Sequence, residues 1–184
     1  MQAALRIARK RHSPQTLISF MNRRAARADF FDASALAKVY SDEPGSNVVR
    51  EYFRSRATKY TTPFCFYEAM NVLKGKWKHK GQLTIDQYLD AAFRLTAWYG
   101  ASSSQVKDLN FTDPSTFAEA KEIAQRGRLD LSDAFQILSV KTGYFSVLVN
   151  ESSTVLVTAD KELADAARTE GLRAWNLMVE PAPQ

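Results

Sequence analysis

Four acidic residues stand where this chain could do chemistry: Asp32, Glu68, Asp133 and Asp160, with the hydroxyls of Ser34 and Thr158 close in sequence to two of them. Each acid has an ordinary structural use. Asp32 can form a turn, Glu68 can pair with an arginine, Asp133 can complement a helix dipole, and Asp160 can do the same or cap a helix. Two carboxylates about 5 Å apart at an effective dielectric near 20 repel by roughly 3 kcal/mol, so four converging acids require protons or a cation. The chain has two histidines, His12 and His79, and one cysteine, Cys65, so the donors on offer are oxygens. That donor set favours a hard divalent cation, Mg2+ or Mn2+, over zinc. A metal held by acids with open coordination positions lowers the pKa of bound water and neutralises charge on a phosphodiester under attack. The chemistry pointed to is phosphodiester hydrolysis. Asp32 would be the principal ligand, with Glu68, Asp133 and Asp160 completing the shell and Ser34 and Thr158 orienting a carboxylate or a water.

The elements that must position these groups follow from apolar spacing. Strands are expected at 29–32 (DFFD), 59–62, 105–109, 154–158 (TVLVT) and 172–175. Helices are expected at 33–40, 46–56, 63–78, 84–98, 114–125, from a Ser132 cap to about 141, and at 160–170. Strands alternating with helices of crossover length predict an α/β domain with a mainly parallel sheet, which binds ligands outside the carboxyl ends of its strands. Asp32 ends the first strand and Asp160 follows TVLVT. Glu68 lies between Phe64 and Val72 on the inward face of a helix, and Asp133 opens a helix at the sheet edge.

The segments DASALAKVYSDEPGS (32–46), YEAMNVL (67–73), LSDAFQI (131–137) and LVTADKELADAARTEG (156–171) resemble the PIN-domain family, especially its VapC-type toxin ribonucleases, over about residues 29–176. The resemblance implies a three-layer α/β/α fold, with Asp32, Glu68, Asp133 and Asp160 as the family's acidic cluster and Ser34 and Thr158 as its hydroxyl companions. It further implies Mg2+- or Mn2+-dependent cleavage of single-stranded RNA, a homodimer, and inhibition by a cognate antitoxin. Asp130 rivals Asp133 as a ligand; Asp133 is preferred because the family's acid directly precedes a small residue, here Ala134. The segment before Asp29, and GYFSVLVNESS (143–153), are longer than the family pattern.

With 184 residues, 45% hydrophobic and 24% charged, the chain has room for one domain and a core of useful size. No apolar run reaches the roughly 18 residues of a membrane span. One cysteine rules out an internal disulfide framework and suits a reducing compartment, so a cytoplasmic protein is expected. Cys65, between Phe64 and Phe66, reads as core packing.

The net charge of +5 is uneven: residues 1–28 hold seven Lys or Arg and no acid, leaving eighteen bases against twenty acids in the rest. This basic head is expected to be a flexible arm or the product of a start upstream of Met21, with 177–184 as a C-terminal tail. Phosphate contacts would then come from local patches, of which Lys74–Lys80 (KGKWKHK) is the best. There Trp77 could stack on a base while Lys74, Lys76, Lys78 and Lys80 meet phosphates; the same residues also read as a solvated helix end. An aspartyl phosphotransferase is excluded because Ser34 stands where a second Asp is needed. A dinucleotide enzyme is excluded because no Gly-rich turn follows the first strand. The alternative to the nuclease is a catalytically idle module of the same fold that binds RNA or protein.

Overall fold

The computed structural model describes residues 27–55, 57–101, 106–146 and 154–183. The expectations for residues 1–26 and for 147–153 lie outside the described residues. Within them a four-stranded, all-parallel sheet has the order β2-β1-β3-β4, formed by β1 (Ala28–Phe31), β2 (Thr58–Tyr60), β3 (Val155–Thr158) and β4 (Arg173–Asn176). Register places Phe30 beside Leu156 and Phe31 beside Val157. Successive strand residues face opposite ways, so Phe30 and Leu156 enter one core while Phe31, Val155 and Val157 enter the other. Burial on both faces explains the adjacent apolar residues Phe30–Phe31 and Val155–Val157.

Helices cover both faces. Helices α1 (Ala33–Tyr40), α2 (Ser46–Phe53), α3 (Pro63–Lys78) and α4 (Ile85–Ala101) pack one core around Leu36, Val49, Leu73, Leu95 and Trp175. Helices α5 (Pro114–Gly127), α6 (Leu131–Thr142) and α7 (Lys161–Thr169) pack the other around Ile123, Ile137 and Leu163. The result is the expected three-layer α/β/α architecture. No helix among the described residues is long and apolar enough to cross a membrane.

Three helices begin where strands end. Asp32 caps α1, its Oδ1 accepting from the Ala35 amide at 2.7 Å. Thr62 caps α3 ahead of Pro63 at the first helical position, where proline's missing N–H leaves no bond unmade. Asp160 caps α7, accepting from the Glu162 and Leu163 amides at 2.7 and 3.1 Å. The connection leaves β1 toward β2 on one side and β3 toward β4 on the other. The topological switch therefore falls between β1 and β3, where such sheets open a crevice.

Several expectations need correction. No strand forms over 106–109, and Gln105 lies outside the described residues; Val106 is buried and Leu109 packs on the core, but as an irregular connection. Its backbone runs past the start of α3, where the Asp108 carboxylate accepts from the Phe64 amide at 3.1 Å. Ser132 is not the cap of α6: Asp130 has the extended backbone of a cap, and its Oδ1 accepts from the Asp133 amide at 2.9 Å. Contacts also continue on either side of residues 29–176. Arg27 pairs with the buried Asp29 at 3.0 Å, and Ala28 opens β1. Leu177 is buried, and Glu180 accepts from the Asn176 amide and from Arg168.

Candidate active site

Asp32 is 3% exposed, and both its oxygens are held, by Ser34 and Ala35 of α1 and Thr158 of β3. The Ser34 hydroxyl donates to Oδ1 and Oδ2 at 2.9 Å, and the Thr158 hydroxyl donates to Oδ2 at 2.7 Å. The two hydroxyls also tie down the far side of the crevice. Ser34 Oγ accepts from the Ala159 amide at 2.8 Å and Thr158 Oγ1 from the Asp160 amide at 2.9 Å. Burial pushes the Asp32 carboxyl up to about 6; the Ala35, Thr158 and Ser34 bonds oppose that rise, and the Glu68 charge adds to it.

Glu68, half-buried on α3, and Asp133, half-buried in the first turn of α6, meet through a third residue, Gln136. The Gln136 side-chain amide donates to Glu68 Oε2 at 3.1 Å and reaches Asp133 Oδ1 at 3.5 Å. Asp133 is raised to about 7, first by burial and then by the charges of Asp130, Asp160, Asp32 and Glu162. Glu68 is raised by burial and then by Asp133 and Asp130. The charges of Asp32, Asp130 and Asp160 all bear on Asp133, and that of Glu68 bears on Asp32. Asp160, exposed at the start of α7, forms the rim.

Asp130 behaves differently. It is exposed and sits below the ordinary carboxylate range because the Asp133 amide bonds to it, against a smaller effect of burial. Its Oδ1 accepts the bond that starts the helix, whereas Asp133 approaches Gln136, the partner of Glu68.

Among the described residues, none of the four carboxylates forms an ion pair with Lys or Arg. Hydrogen bonds from Ser34, Thr158 and Gln136 and the partial positive ends of helices compensate in part, which is weak for four acids. An all-oxygen, mutually repelling set without a basic partner suits a hard divalent cation in donor type and charge. In spacing the fit is incomplete: no group of three or more His, Cys, Asp or Glu side chains among the described residues is close enough to hold a metal ion. A cation would have to draw the carboxylates together.

Sequence reasoning missed Gln136. It is 2% exposed, and its Oε1 has no hydrogen-bond partner. The available signal was a polar residue in the otherwise buried stretch 134–140 of α6. Cys65 is buried and unpaired, its thiol pushed up by burial, which is the behaviour of a core residue. The basic patch divides: Lys74, Lys78 and Lys80 are exposed, but Lys76 is buried against Glu43 at 2.7 Å and Trp77 stacks on Tyr88 at 5.1 Å between ring centroids.

Comparison with known proteins supplies a family. A model of the PIN domain matches residues 30–169. Among solved structures, the chain is similar to PAE2754 from Pyrobaculum aerophilum, with 23% identity and a TM-score of 0.50 over 81% of this chain and 91% of that one. It is also similar to FitAB bound to an IR36 DNA fragment, with 11% identity and a TM-score of 0.55 over 85% of this chain and 99% of that one. At these identities the likeness is one of fold. No curated protein matches the chain.

Proposed function

We propose, from the premise that this chain belongs to the PIN-domain family, that it is a metal-dependent endoribonuclease and the toxin of a type II toxin–antitoxin pair. PIN domains are generally nucleases that use divalent metal ions; the choice of RNA and of Mg2+ or Mn2+ is the further step taken here. The observation that carries it is the buried Asp32 carboxylate, held by Ser34 and Thr158 at the switch point with three more acids around it and no basic partner.

Asp32, Asp133, Asp160 and Glu68 would hold the ion. When bound, it supplies positive charge to the phosphodiester and lowers the pKa of the attacking water. Ser34 and Thr158 keep the Asp32 carboxylate in one orientation, so its geometry is set before substrate arrives. Gln136 occupies one oxygen of Glu68, and the other would be the one to hold the ion or accept a proton. The N-termini of α1, α3 and α7 converge at the same strand ends and offer their dipoles to a phosphate. The resemblance of residues 32–46 and 156–171 to VapC-type toxins extends the reading to a homodimer and a cognate antitoxin.

The test is cleavage of labelled single-stranded RNAs with Mg2+, Mn2+ or EDTA by the parent and by Asp32→Asn, with DNA alongside because the FitAB structure contains it. Metal-dependent RNA cutting lost in the variant is expected. Cutting that persists in the variant would remove Asp32 from the site. The incomplete spacing of the acids favours a second reading, an idle PIN module, and failure of the purified chain to bind Mn2+ in calorimetry would select it.

A further inference from the structure

Around the crevice the charge is lopsided. On one side Asp130, Asp160 and Glu162 are exposed at the starts of α6 and α7, and all three add to the potential that raises Asp133. Phosphates approaching there meet like charge. On the other side α3 leaves the crevice from Glu68, and its outer face is different in kind.

Tyr67, Asn71, Lys74 and Lys78 follow at i, i+4, i+7 and i+11, a spacing that puts them on one helical face, and all four are exposed. Lys76 points the opposite way and is engaged by Glu43. Among the described residues Lys74 and Lys78 form no ion pair, in contrast to Lys38, Lys76, Lys141 and Lys161, which all do. Tyr67 is 67% exposed, and its ring is braced edge-on at 5.3 Å by Phe66, itself stacked on Tyr99 at 4.4 Å. An open aromatic face on a rigid support is what base stacking uses. From Tyr67 to Lys78 the face runs about 16 Å at the helical rise.

We infer that this face of α3 is the track along which single-stranded RNA enters the acidic crevice, with Tyr67 stacking on a base beside the scissile position and Lys74 and Lys78 contacting phosphates upstream or downstream of it. The inference rests on the ribonuclease reading. It differs from what the basic run KGKWKHK suggests, because helix geometry removes Lys76 and Trp77 from the track and adds Tyr67 and Asn71.

The experiment uses the full chain carrying Asp32→Asn, which binds without cutting, and measures affinity for a fluorescent single-stranded RNA by anisotropy across a salt series. Adding Lys74→Gln and Lys78→Gln together should lower the slope of log affinity against log salt by about 1.4, roughly 0.7 per lost phosphate contact on a single strand. Adding Tyr67→Ala should weaken binding about fivefold or more, with the salt slope unchanged. Lys121→Gln on α5 measures the effect of net charge alone and should leave the slope close to the parent's. Equal affinity and slope in all variants, with the parent binding well, overturns the track and leaves the ribonuclease reading standing. Failure of the parent itself to bind any RNA overturns both. Intact RNA binding with loss of a co-purifying protein would reassign the face to protein contact and also overturn the track.

Discussion

Thr158 Oγ1 donates to Asp32 Oδ2 at 2.7 Å, joining the ends of two neighbouring strands that are 126 positions apart in the chain. The same oxygen accepts from the Asp160 amide, so one hydroxyl fixes two acids at once. Thr158→Val keeps the branched shape and removes both bonds. It should lower stability by about 1–3 kcal/mol, the usual range for a buried polar group left without its partner. Cleavage should fall at least about tenfold, as when outer-shell partners of metal ligands are lost. Denaturant melts and single-turnover cleavage check the two effects, and a variant equal to the parent in both would show that the bond is incidental.

The site acids give the metal-free protein a defined pH response. Asp32 is raised to about 6 and Asp133 to about 7, each by burial first, and Asp29, Glu68 and Asp108 shift the same way, again by burial first. A carboxyl raised in the folded state binds protons more tightly there than in the unfolded chain. Its contribution is whole below the unfolded value, near 4, and is lost as pH rises through the folded one. Glu43 and Glu170 act oppositely: against the pull of burial, Lys76 and Lys38 lower the one and Lys141 and Arg126 the other. Their change is over by about pH 5. In EDTA the melting temperature should therefore fall between about pH 5 and 7, and Asp32→Asn should fall less. A rising melting temperature across that window would contradict the burial of these acids.

Adding a divalent cation should reverse that loss. If the ion binds at these acids, protons compete with it for the same oxygens, so Mn2+ should raise the melting temperature more at pH 7 than at pH 5, and calorimetry should show protons released on binding at the lower pH. Equal stabilisation at both values would mean the ion sits elsewhere.

Gln136 separates stability from chemistry. Gln136→Met fills the same buried space and removes the unpartnered Oε1, so the metal-free protein should melt no lower than the parent. The bonds to Glu68 and Asp133 disappear with it, and cleavage should fall about 10- to 100-fold. Thermal melts in EDTA beside cleavage rates decide the matter: loss of both together would make Gln136 a packing residue only.

Asp130 and Asp133, three residues apart, should part company under the same substitution. Asp130→Asn keeps a good cap on α6 and leaves cleavage within about twofold of the parent, because Asn and Asp cap equally well. Asp133→Asn should abolish cleavage while the circular dichroism spectrum stays unchanged. The reverse pattern would exchange their roles.

The parallel sheet was legible because Phe30, Phe31 and VLVT are apolar on both strand faces, and a parallel sheet announces where its crevice lies. That pattern alone places Asp32 and Thr158 at strand ends. The segment 106–109 misled because a short run with Val106 and Leu109 apolar looks the same whether it pairs in a sheet or packs as a connection. Ser132 and Asp130 are both good caps two residues apart, and only the backbone turn chooses between them. Gln136 was hidden because its contact with Glu68 spans 68 positions. Lys76 read as part of a basic surface until the helix turned it toward Glu43.

The strand order carries a consequence for synthesis. β2 pairs with β1 soon after both emerge, but the other edge of β1 waits for β3, which begins at Val155. A ribosome that has released the chain through α6 has delivered Asp32, Glu68 and Asp133 without Thr158, Asp160 or the wall that encloses them. On the proposed reading, a chain that stalls or is clipped before Val155 lacks Thr158 and Asp160 and should not cleave RNA.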